Sequence, residues 1–171
     1  MRRLLLVLLL VLATPLWAAE PRDLAWTEMI PEGMPSAPES QTPMHQGQGD
    51  DGLADESGPP AAQASPTAPV VKALDGQLVR LPGYLVPLET ASDGRVREFL
   101  LVPYFGACIH VPPPPSNQIV HVHNEPGVQL DVLYQPYWVE GRLQVEHTSS
   151  ELAEAGYRMA TSKVYPYQLE Q

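Results

Sequence analysis

Between Asp23 and Val71 the chain carries no lysine or arginine, and between Trp26 and Tyr84 it carries no aromatic residue. The same stretch holds eight acids (Asp23, Glu28, Glu32, Glu39, Asp50, Asp51, Asp55 and Glu56) among proline, glycine, serine and glutamine. Such a segment buries too little apolar surface to offset the entropy of ordering it. Residues 34–69 are therefore expected to form a disordered acidic linker, with His45 beside Met44 as a solvated pair or a weak metal-capture arm. Whatever folds must fit into residues 70–171, room for one small domain. That part holds most of the aromatic residues and has 7 basic against 11 acidic side chains, whereas the whole chain has 10 against 20. Much of the net charge of −10 thus lies outside the domain and bears on solubility and reach rather than on a binding face. So few cations argue against a nucleic-acid partner. One cysteine makes neither an intramolecular disulfide nor a four-thiolate zinc site.

The start reads as an export signal. Met1, Arg2 and Arg3 precede an unbroken apolar run from Leu4 to Ala13, and Trp17-Ala18-Ala19 offers small residues for cleavage. Residues 1–18 are expected to be a signal peptide, with an uncleaved N-terminal anchor as the alternative. The run is short for a membrane span, so the cleaved chain would not cross a bilayer. No cysteine directly follows it to take a lipid. Residues 19–33 contain Leu24, Trp26, Met29 and Ile30 and are expected to dock as an amphipathic turn on the domain or on a partner.

The domain reads as mainly β. Gln77–Leu88 alternates, Asp93-Gly94 marks a turn, and Val96–Val102 suits a central strand. Gln118–His123 alternates, Tyr137–Glu146 carries Gly141 as a candidate bulge, and Tyr157–Tyr165 closes the set. Thr148-Ser149-Ser150-Glu151 matches a helix-start pattern and predicts a short helix over 152–155. Short strands with one short helix predict a small OB-like β-barrel.

The chemistry concentrates between Gly106 and His123. Cys108 and His110 are two apart, as are His121 and His123, so on strands each pair would share a face. Pro112, Pro113, Pro114 and Pro115 between them form a stiff connector without backbone donors. If two antiparallel strands flank it and His110 stands opposite Ile119, Cys108 stands opposite His121. Cys108, His110, His121 and His123 would then share one face, a ligand set suited to zinc or copper, with Asp131 or Glu125 able to add an oxygen. A slip of one residue abolishes it. Three other readings stand beside this. In one, Cys108 is a small buried hydrophobe and His110 bonds to loop backbone. Cys108 could serve as a nucleophile with His110 as base and Asn117 returning to orient it, a thiol enzyme. The prolines, with Tyr104 and Phe105, could form a stiff apolar edge for a protein partner, or pack on their own barrel.

The run Gly106-Ala107-Cys108-Ile109-His110-Val111 through Pro115, followed by Asn117-Gln118, resembles the signature of domain-of-unknown-function family 3299, a group of exported bacterial proteins. Trp26–Pro31, Leu81-Pro82-Gly83-Tyr84 and Trp138–Gly141 are similar to the family as well. The resemblance identifies no catalytic residue. It implies a periplasmic accessory role in metal (zinc) handling or envelope transport. The implied partners are inner-membrane ABC transporter components or a periplasmic metal-binding protein. The leading expectation is thus a non-enzymatic accessory protein, with a metal-free interaction module as the alternative.

Overall fold

The computed structural model describes residues 20–34, 62–63, 65–108, 112–130 and 134–167. The expected signal peptide, His45, His110, Asp131 and most of the expected linker lie outside the described residues.

The described residues form eight strands: β1 (Arg22–Asp23), β2 (Leu78–Thr90), β3 (Val96–Val102), β4 (Val120–Val128), β5 (Tyr137–Gln144), β6 (Thr148–Ser149), β7 (Glu154–Ala155) and β8 (Tyr157–Pro166). Five of them close a barrel in the order β2-β3-β4-β8-β5, with β5 returning to β2. The β4–β8 pairing is parallel and the other pairings of the ring are antiparallel. This is the expected OB-type barrel.

The ring closes because β2 is long enough to serve two neighbours. Leu78–Gly83 pairs with β5, and Tyr84–Thr90 pairs with β3. Gly83 sits at the changeover, where a Cβ would lie 2.7 Å from the carbonyl oxygen of Val102. Only glycine lets the strand approach that closely while it changes partner. The predicted bulge at Gly141 is present as a register shift against β8.

Alternation fills the barrel. Val79, Leu81, Leu85, Phe99, Leu101, Val120, Val122, Val139, Leu143, Tyr157 and Met159 point inward and are buried. Each such aliphatic or aromatic side chain contributes roughly 1.5–3 kcal/mol.

The helix expected at 152–155 is absent; β6 and β7 form a two-stranded ribbon instead. Four residues are too few to build a helical hydrogen-bond ladder. Ser150 closes a turn, with its N–H and hydroxyl both donating to the Ala153 carbonyl, at 3.1 and 2.8 Å. Ala153 and Ala155 are buried at alternate positions, the strand period.

The N-terminal segment packs on the domain. Trp26–Met29 forms a 3-10 turn with Met29 fully buried, and the Trp26 indole N–H donates to the Pro82 carbonyl at 2.6 Å. The domain also engages the chain earlier than Val70. Gln63 donates to the carbonyls of Pro114 and Glu154 and accepts from the Glu154 N–H. The described residues on both sides of 35–61 are therefore fastened to one barrel.

Candidate functional site

The outward side chains of β2 and β3 make a second buried cluster. Val86, Leu100 and Val102 pack there with Ala107, Ile119, Ala153 and Ala155, flanked by Tyr84, Leu88, Tyr104 and Cys108. Ala107 and Ile119 come to it from the connection between β3 and β4, and Ala153 and Ala155 come from the β6–β7 ribbon. The candidate residues gather along these segments.

Cys108 departs from expectation. It lies in a turn with φ of 67°, left-handed backbone rather than strand, so alternation does not make it the neighbour of residue 110. Burial pushes its thiol up from an ordinary 9.0 to about 11. At neutral pH the thiol keeps its proton, which disfavours both nucleophile and metal ligand. Tyr104 is likewise raised by burial and, secondarily, by Cys108; its hydroxyl donates to the Pro112 carbonyl at 3.4 Å.

Phe105 stands out from this loop. It is 52% exposed and meets Tyr84 edge-on, with ring centroids 5.9 Å apart. The four prolines behave differently from an open wall. Pro112 is exposed and Pro115 half-buried, but Pro113 and Pro114 are buried against the barrel. Most of the run is packing, and the exposed apolar feature is Phe105.

Asn117 and Gln118 are also turned inward. The 3-10 turn Ser116–Gln118 is buried throughout. Asn117 Nδ2 donates to the Pro69 carbonyl, and Gln118 Nε2 donates to the carbonyls of Trp26 and Asn117. Ser116 accepts at its hydroxyl from the Ala68 N–H, and its carbonyl accepts from Gly156. Three separate chain segments are held by these three residues.

His121 and His123 do project outward from β4, while Val120 and Val122 enter the core. The register expected to join them to Cys108 is not the one formed. His121 stands opposite Leu100 on β3 and Arg158 on β8. The partner strand is β3 because the residues before Ser116 are held by the barrel as a loop. Nε2 of His121 lies 2.7 Å from Glu98 Oε1, and Nδ1 lies 3.0 Å from the Thr148 hydroxyl on the ribbon. His123 Nε2 lies 3.1 Å from Glu125 Oε2. Among the described residues no three of His, Cys, Asp and Glu meet as a ready-made metal-holding group.

A groove of about 330 Å³ opens beside His121, lined by Pro87, Leu88, Glu98 and the ribbon residues Ser149–Leu152. It lies on the second and third strands of the barrel under the loop joining the last two, the region where OB-type barrels hold ligands. Sequence reasoning missed Glu98 and Thr148. The only signal for Glu98 is its outward register beside the apolar run; Thr148 was read as a helix start.

The profile of the family described as "Protein of unknown function (DUF3299)" matches residues 26–166. The chain belongs to the DUF3299 family. A crystal structure of a DUF3299 family protein from Pseudomonas aeruginosa PAO1, at 2.45 Å resolution, is 60% identical to it in sequence. That match covers 90% of this chain and 100% of the other, with a TM-score of 0.76. A search of curated proteins found no match. The family match reaches back to Trp26, so it spans the docked N-terminal turn as well as the barrel.

Proposed function

We propose that this DUF3299 chain is an exported, non-enzymatic accessory protein that acts by contact with a protein partner in the periplasm. The partner is an inner-membrane ABC transporter component or a periplasmic metal-binding protein, and the process is metal-ion handling, zinc above all, or envelope transport. The compartment rests on the basic, apolar and small residues of the first nineteen positions. The partner class rests on the family resemblance. Among the described residues no helix is long and apolar enough to cross a membrane.

One observation carries the contact reading. Phe105 is a half-exposed aromatic ring braced edge-on by Tyr84 of β2. A rigid aromatic that loses little freedom on binding is the usual anchor of a protein interface. The thiol-enzyme reading is weakened by the raised Cys108 thiol. The buried Pro113 and Pro114 and the occupied Asn117 and Gln118 favour a contact that needs no metal at Cys108. The test is capture from a detergent-solubilised envelope fraction by the mature chain, with Phe105→Ala in parallel. Recovery of a transporter component or metal-binding protein that is lost in the variant supports the reading. Equal recovery by both contradicts it.

A further inference from the structure

The outer face of β3 and β4 carries nitrogen and oxygen donors that the contact reading does not use. Glu98 stands directly across from His123 in the β3–β4 register, while its Oε1 already lies 2.7 Å from His121 Nε2. One carboxylate is therefore bonded to one outward imidazole and shares a cross-strand register position with the other. Glu125 on the same edge lies 3.1 Å from His123 Nε2. As they stand, these are two pairs, His121–Glu98 and His123–Glu125.

We infer that Glu98, His121 and His123 form a surface site for a divalent transition-metal ion, with Glu125 or water completing it. Two imidazoles and a carboxylate are a donor set that zinc accepts. The orientation of His121 is the strongest argument. Its Nδ1 is engaged by Thr148 Oγ1 at 3.0 Å, which leaves Nε2 as the atom presented to Glu98 and the groove. Holding the second ring nitrogen in this way fixes a ligating histidine.

Metal binding requires side-chain rearrangement: His123 must turn from Glu125 toward Glu98 and His121, which are not gathered with it as a three-ligand group. Zinc bonds of about 2.0–2.1 Å at a tetrahedral angle separate nitrogen and oxygen by roughly 3.3 Å, so the present 2.7 Å contact must open by about 0.6 Å. The side chains of Glu98 and His123 are 36% and 48% exposed, which leaves them free to turn. Glu98 and Glu151 line the groove and no lysine or arginine does, so its charge suits a cation. Cys108 has no part in the site. The inference deepens the metal-handling side of the proposed function and rests on it for the choice of zinc; the Phe105 capture assay, run with chelator present, tests the contact claim separately.

The experiment is titration of chelator-stripped mature chain with zinc alone by calorimetry at neutral pH. The expected result is one equivalent bound at micromolar affinity or tighter. Glu98→Gln, His121→Ala and His123→Ala should each weaken it at least about tenfold, and Cys108→Ser should leave it unchanged. Thermal melts of the stripped variants identify any that fail to fold. Cobalt substitution of the unmodified chain gives an answer independent of the variants, because a thiolate ligand adds an intense near-ultraviolet charge-transfer band. Visible cobalt bands without that charge transfer support the site. No zinc binding at millimolar concentration, a thiolate band, or loss of binding only in Cys108→Ser would overturn it.

Discussion

Gln118 Nε2 donates to the Trp26 carbonyl oxygen at 2.9 Å, joining residues 92 positions apart. The bond ties the first docked segment to the turn that ends the proline run. Tyr157 completes the same fastening, since its hydroxyl accepts from the Val71 N–H and donates to the Met29 carbonyl. The Asn-Gln pair of the motif acts in this light as a staple.

Gln118→Leu leaves the part-buried Trp26 carbonyl without that partner. The expected cost is about 1–3 kcal/mol, read from urea unfolding. Hydrogen exchange should show the amides of residues 24–30 losing protection first. Unchanged protection there would contradict the staple.

Gly141 faces the opposite problem, lack of space. A Cβ at this position would lie 2.6 Å from Met159 Cγ and 2.8 Å from the Ala160 carbonyl oxygen. The backbone oxygen cannot swing aside, so Gly141→Ala should destabilise by roughly 1–3 kcal/mol. A thermal melt of the variant checks this, and an unchanged midpoint would show that the β5–β8 bulge has slack.

Cys108 predicts a one-sided dependence on alkali. Burial raises its pKa from 9.0 to about 11, so the folded state holds the thiol proton more tightly than the unfolded chain. The resulting stability is complete below pH 9 and is lost as pH rises toward 11. Thiolate absorbance should therefore titrate near 11 in the folded protein, and Cys108→Ser should abolish that transition. Titration near 7 would restore a reactive thiol.

Much of the barrel was legible because its strands alternate. Val96–Val102 was read to its exact bounds, and Gly141 was recognised as a bulge, since a glycine within an apolar alternation signals a close approach. The ribbon was missed because Thr148–Glu151 imitates a helix start; burial of Ala153 and Ala155 under the outer face overrides local preference. The site was legible only in part. The outward pairing of His121 and His123 follows from period two, and the structure has it. Their neighbours do not follow, because Glu98 and Thr148 are brought by β3 and the ribbon from 23 and 27 residues away. The left-handed backbone at Cys108 has no sequence signal, and it removes the premise that joined Cys108 to the histidines.

The central claim is that Phe105 meets a partner. A photo-crosslinking residue placed at position 105 in the exported chain, activated in intact cells, tests it most directly. The account predicts a crosslink to an ABC transporter component or a periplasmic metal-binding protein, absent when the same residue replaces Lys163 on the exposed side of β8. No crosslink from position 105, or the same product from both positions, would contradict it.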